Sequence, residues 1–146
     1  MATDPQCLSM AEEQYLAFDR ASEMKHEYWN GEAVAMSGGT AEHNRLGFKM
    51  AFLLEGQLGS WSPCRVYTSD MRVQVLKRKY VYPDVVVSCT PNDHEPRNDI
   101  MRALHLIVEV LSPSTEFIDR GRGNSFGTKI IQQFRNMCLS IHVYNW

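Results

Sequence analysis

The stretch LHLIVEVLS, residues 104–112, constrains this chain more than any other. It is far too short to cross a membrane, which takes roughly 20 apolar residues. Its apolar residues run on rather than alternate, the pattern of a central strand buried on both faces. Such a strand requires further layers of structure around it, and the rest of the chain has to supply them. One residue in the run does not belong there: Glu109 places a carboxylate where the pattern demands burial.

The surrounding segments read as those layers. Ser9 and Glu12 have capping-box spacing and predict a helix over about 10–20, with Tyr15, Leu16 and Phe18 as its apolar residues. Asn30-Gly31 lies between two strand-like runs and predicts a hairpin, because both turn positions require positive φ. Gly38-Gly39 breaks the chain, and Thr40 can cap a helix over about 41–59 whose Leu46, Met50, Leu53, Leu54 and Leu58 keep helical spacing. CRVYTSDMRVQVL (64–76) alternates like one half-buried strand, KRK (77–79) predicts a turn, and YVYPDVVVSC (80–89) reads as a second, apolar strand. Residues 90–103 predict a polar loop, and SPST (112–115) ends the central strand and offers a cap for a short helix. The order points to an α/β or α+β sandwich with a mixed sheet.

With 146 residues the chain predicts a single domain spanning 1–146, large enough to bury a core. A net charge of −2 gives no overall basic field, which leaves only a local groove for nucleic acid. The polar, acidic start, MATDPQCLSMAEE, is unlike a signal peptide, so a cytoplasmic location is expected. Four scattered cysteines (Cys7, Cys64, Cys89 and Cys138) lack a CxxC pair and read as free thiols rather than zinc ligands.

Glu109 has a counterpart in Asp84, inside YVYPDVVV. A lone buried carboxylate costs several kcal/mol unless it is neutralised, paired or bound to a metal. Two of them on separate apolar strands fit either a shared cation or a pair of structural salt bridges, and both readings stand at this point. Asp70, in the alternating YTSDMRV, is a third candidate that can equally face solvent. Oxygen ligands without a Cys or His cluster favour Mg²⁺ or Mn²⁺, ions suited to phosphodiester hydrolysis.

HEYWNGEAVAMSGGTAEHNRL, CRVYTSDMRVQV, YVYPDVVV and LIVEVLSPSTEFIDRG, taken in that order over residues 9–121, resemble the Uma-type restriction-endonuclease family within the PD-(D/E)XK nucleases. The resemblance implies a restriction-endonuclease-like core, a mixed sheet flanked by helices, acting on DNA. It makes Pro83-Asp84 the "PD" and Glu109 the acidic residue of the second half. Both would hold Mg²⁺ and position the attacking water, with Asp70 as support. The lysine expected two residues after Glu109 is Leu111. In this family that lysine instead follows DRG, a position that Lys129, the only lysine after Glu109, misses because it lies too far on.

Other residues have bland readings beside functional ones. Glu42 suits the N-terminus of its helix electrostatically, and His43 beside it can face a cleft or simply be solvated. His105 reads as a hydrogen-bonded strand residue. Arg45, Lys49, Arg65, Arg72 and the run Lys77–Lys79 can meet phosphate if the fold gathers them. The Gly-rich DRGRGNSFGTK is not a phosphate-binding P-loop, as it lacks both the lysine–Ser/Thr ending and the preceding strand.

The tail supports two readings. Phe126, Ile130, Ile131, Phe134 and Met137 keep helical spacing, and Leu139, Ile141 and Val143 then alternate as a strand. Alternatively, the family resembles itself after DRG in a pattern like KFxxYxxxPxxxEYVxV. Codons permitted for 122–139, read two bases later, reproduce that pattern, and Met137-Cys138 then forces valine. On this second reading residues 122–146 are an out-of-frame tail and the fold is truncated at its C-terminus. The expectation is therefore an Mg²⁺-dependent DNA endonuclease. Its rivals are an inactive remnant of one and a nucleic-acid-binding module without hydrolysis. Double-strand cutters often pair two sites, which makes a homodimer an expectation too, although the sequence shows no interface.

Overall fold

The computed structural model describes residues 7–111, 128–134 and 137–143. Its elements in chain order are β1 (Cys7–Ser9), α1 (Glu12–Ala21), β2 (His26–Trp29), β3 (Glu32–Ala35), α2 (Ala41–Leu58), β4 (Arg65–Thr68), β5 (Arg72–Leu76), β6 (Lys79–Val81), β7 (Val85–Ser88), a 3₁₀ turn (Pro91–His94), β8 (Ile100–Met101), β9 (Leu104–Leu111), β10 (Thr128–Phe134) and β11 (Met137–Val143). They form two sheets, one ordered β1-β3-β2-β6-β5-β8 and the other β10-β11-β9-β7-β4. The first is mixed, since β5 and β8 run parallel, and the second is antiparallel among its paired strands.

Three apolar clusters stack these pieces into layers. Tyr15 of α1 packs on Tyr28, Ala33, Tyr80 and Ile100 of the first sheet. Val73 and Met101 of that sheet meet Val86, Leu104 and Ile107 of the second. Leu46, Met50 and Leu54 of α2 cover Val85, Val108 and Val110 on its outer side. The central strand β9 is thus buried on both faces, and the expected mixed α+β architecture with flanking helices is present.

Several local expectations hold. Asn30 (φ 49°) and Gly31 (φ 113°) form the hairpin turn between β2 and β3. Thr40 caps α2, its Oγ1 accepting from the His43 amide at 3.2 Å. Others are corrected. Residues 64–76 are two strands in different sheets, parted by a turn in which the Met71 amide donates to the Thr68 carbonyl. Residues 80–89 likewise divide at Pro83-Asp84 into β6 and β7. Proline brings no amide donor to a ladder and there frees the chain to change sheets. The helix α1 starts after Ala11, whose amide is held by Gln14 Oε1, while Ser9 belongs to β1. The loop 90–103 contains a 3₁₀ turn and the short β8.

Two cysteines depart from the free-thiol reading. Cys64 and Cys89 form a disulfide. Antiparallel pairing of Arg65 with Ser88 brings their neighbours face to face, a register invisible in the sequence. Cys7 is free and exposed. In the tail, 128–134 is a strand rather than the predicted helix, hairpinned to β11. Hydrogen bonding to β11, which itself pairs with β9, overrides the weak helical spacing. The short helix expected after 112–115 and residues 112–127 generally lie outside the described residues. No helix among the described residues is long and apolar enough to cross a membrane.

Candidate active site

The site forms where α2 begins against the second sheet. The Thr40 cap fixes the first turn, and helical spacing directs His43 to the same side as the core-facing Leu46, Met50 and Leu54. There its Nε2 lies 2.8 Å from Asp84 Oδ1. Asp84 occupies the bend after Pro83, and its other oxygen accepts from the Val110 amide at 2.7 Å. Nε2 donates to the carboxylate in the tautomer that carries its proton there. The carboxylate bridges α2 and β9 and is only 16% exposed. Helix α2 runs close overhead, since a Cβ at buried Gly47 would stand 3.9 Å from that of Asp84.

Glu109 directly precedes the Val110 amide that Asp84 accepts from. Val85 pairs with Val108 across β7 and β9, so one further step of this register sets position 84 opposite 109. Glu109 is partly buried. Strand alternation puts it on the face of Ile107, between the sheets, whereas Val108 and Val110 face α2. Positions 84 and 109 therefore lie at one end of the sheet, joined through the Val110 amide, with the Asp84 side chain toward His43 of α2 and Glu109 on the side between the sheets. Among the described residues no three His, Cys, Asp or Glu side chains gather into a metal-binding group.

Asp70 stands at this same end, in the turn after β4, because Thr68 pairs with Val85 and the next step sets Ser69 opposite Asp84. Its side chain is 85% exposed and ion-paired with Lys25. Lys25 Nζ also donates to the Ser69 carbonyl at 2.9 Å and lies 5.6 Å from the centre of the Tyr82 ring. Sequence reasoning missed Lys25. Lys129 sits in β10, two strands away from β9.

Behind the bend lies a buried ionic network. Asp19 Oδ2 accepts from Arg72 Nη2 at 2.7 Å, from Arg72 Nε at 3.1 Å and from the Tyr82 hydroxyl. Its Oδ1 accepts from the His26 amide at 2.9 Å. Burial alone would raise the Asp19 pKa, but the Tyr82, Arg72 and His26 hydrogen bonds outweigh it and hold the carboxyl below its usual range. Burial and the bond to Asp19 push the Tyr82 phenol well above its ordinary value. Tyr82 is two residues before Asp84, so this network anchors the chain as it enters the bend. It also corrects the reading of Arg72 as a phosphate contact, since its side chain is 5% exposed and already paired.

Glu42, Arg45, Lys49 and Arg65 are exposed. Lys79 Nζ lies over the Trp29 ring at 3.5 Å. His105 Nδ1 accepts from the Cys89 amide at 3.3 Å, as expected of a strand histidine. The His43–Asp84 contact spans 41 residues, and no local pattern announces it.

Comparison with known proteins gives one family. Residues 12–139 match Uma2, described as "Putative restriction endonuclease", so the match runs on past Gly121, where the sequence resemblance was bounded. The chain is 36% identical over 113 residues to the uncharacterized protein slr1290 of Synechocystis, covering 77% of this chain and 58% of that one. It is 33% identical over 119 residues to the uncharacterized protein sll1609 of the same organism, covering 77% of this chain and 64% of that one. The chain thus spans about three fifths of these relatives' length. No solved structure matches.

Proposed function

Starting from the fact that this chain belongs to the Uma2 family, we propose that it is a divalent-metal-dependent nuclease that hydrolyses DNA phosphodiester bonds. One observation carries the assignment of the site. The Asp84 carboxylate, in the bend that leads into β7, is held between the His43 imidazole and the amide of Val110, the residue after Glu109. Each Asp84 oxygen takes one hydrogen bond there and keeps a further lone pair for a cation. Mg²⁺ and Mn²⁺ fit this donor set, because such ions are commonly bound by one or two carboxylates and otherwise by water. Asp84 is the proposed ligand that the hydrogen bonds hold in place, with Glu109, at the same end of β9, as the second, and a bound ion would polarise the phosphoryl oxygen and lower the pKa of a water.

The chain's own groups do the rest. His43 and the Val110 amide keep Asp84 in one orientation, and the buried Asp19–Arg72–Tyr82 network fixes the chain leading into it. Leu111 brings no charge to the position after Glu109 where the superfamily places a lysine. Lys25, at the same end of the sheet, supplies the cation that can stabilise the phosphate in its place. Asp70 then acts on Lys25 rather than as a ligand.

The test is nicking of supercoiled plasmid in Mg²⁺ or Mn²⁺. We expect activity that falls at least 100-fold in Glu109→Gln or Asp84→Asn and is largely retained in Lys25→Arg but lost in Lys25→Ala. Activity unchanged by Glu109→Gln refutes the site. Leu111 favours one second reading, a member of the family that keeps the fold without turnover. On that reading no divalent ion supports cleavage, and the gene, read two bases on near codons 121–124, continues the family pattern without a stop.

A further inference from the structure

The outward face of α2 is unlike a solvated helix face. Phe48 and Phe52 are each 68% exposed and sit one turn apart. They belong to a stripe, Ala41-Arg45-Phe48-Phe52-Glu55, whose steps alternate between four and three residues, the spacing of a coiled-coil seam. The core-facing stripe of α2, with Leu46, Met50 and Leu54, is separate and already packed on the second sheet. Among the described residues neither Arg45 nor Glu55 forms an ion pair.

The stripe is complementary to its own reverse. Two copies laid antiparallel about a two-fold axis through position 50 set Phe48 against Phe52 of the partner subunit. The same axis sets Arg45 against Glu55 of the partner subunit, and symmetry repeats both pairs. An aromatic centre closed at each end by opposite charges is self-complementary, as an isologous interface requires. A nucleic acid or an acidic peptide would use Arg45 but would be repelled by Glu55. We propose that this chain forms a homodimer through antiparallel pairing of α2, with Phe48 and Phe52 at its centre and reciprocal Arg45–Glu55 pairs at its ends. The two His43 residues then lie roughly 20 Å apart along the helix pair, given a rise of about 1.5 Å per residue, so the two sites open toward opposite ends of the interface. One helix pair is a small interface, and a dissociation constant in the micromolar range is expected.

Sedimentation equilibrium across the micromolar range tests this, with far-UV circular dichroism as the check on folding. The substituted positions are exposed, so the fold should survive each change. We expect Phe52→Glu to leave a monomer. Arg45→Glu and Glu55→Arg should each weaken the dimer by roughly tenfold, because each sets like charges together at two symmetric positions. The double variant Arg45→Glu/Glu55→Arg should return to within about threefold of wild type, since the pairs are re-formed with reversed sign. A wild-type chain that stays monomeric overturns the proposal, as does a dimer indifferent to Phe52→Glu. A double variant no better than the singles overturns the antiparallel register. A monomeric wild type that binds a labelled oligonucleotide, with binding lost in Phe52→Glu, assigns the face to nucleic acid instead.

Discussion

Asp19→Ala should be the most damaging single truncation outside the site. The Arg72 side chain is 5% exposed, and Asp19 gives it the two contacts at 2.7 and 3.1 Å. Removing that carboxylate leaves the guanidinium with the Tyr82 hydroxyl and with Asp99 at 3.2 Å, a half-exposed partner already shared with Arg20. The buried His26 amide loses its acceptor as well. An uncompensated buried charge costs about 3–5 kcal/mol, a large share of the roughly 5–15 kcal/mol that stabilises a typical domain. At about 2–4 °C per kcal/mol for a chain of this size, the Tm should fall by roughly 10 °C. Urea unfolding followed by circular dichroism gives the free energy directly. The double variant Asp19→Leu/Arg72→Met should recover most of the loss, since apolar side chains replace a buried pair at little cost. A loss below about 1 kcal/mol for Asp19→Ala would show that Arg72 is not buried and dependent as described.

Three further outcomes follow from single features. Asp19 and Asp99 are both held below the ordinary carboxylate range, Asp99 mainly by Arg20 and Asp19 by hydrogen bonds that outweigh its burial. Their stabilisation is therefore complete above the unfolded pKa and is lost as pH falls through the folded one. Thermal melts should be level down to about pH 5 and fall below about pH 4, with a shallower fall in Asp19→Asn. The Cys64–Cys89 bond closes a separation of 25 residues, so Cys64→Ser/Cys89→Ser should cost about 3 kcal/mol in urea melts, while Cys7→Ser should cost nothing measurable. Gly56 lies within α2, and a Cβ there would meet nothing within 4 Å. Gly56→Ala should stabilise the protein by about 0.5–1 kcal/mol on the same assay.

Legibility followed the range of the interaction. The Asn30-Gly31 turn and the Thr40 cap were readable because the residues that dictate them are adjacent. The apolar run around Glu109 announced a central strand because burial on both faces leaves a continuous pattern. What failed was mostly a matter of partners distant in sequence. Alternation through 64–76 continues across a turn, and only the sheet assignments reveal that β4 and β5 part company there. Arg72 looks like any strand arginine until Asp19, 53 residues away, is seen to hold it. His43 and Lys25 are unremarkable in sequence, and each enters the site through a contact more than 40 residues long. Asp84 and Glu109 stood out because carboxylates in apolar runs need a reason, though only the β7–β9 pairing and the Val110 amide bring their positions to one end of the sheet.

The proposed site stands or falls on Asp84 as a cation ligand. Calorimetric titration of Mn²⁺ into the wild-type chain and into Asp84→Asn and Glu109→Gln tests it without requiring turnover. One site per chain in the wild type, weakened at least tenfold by either substitution while circular dichroism stays unchanged, is the predicted result. Equal Mn²⁺ affinity in all three proteins would contradict it and would leave Asp84 as a structural link between α2 and β9.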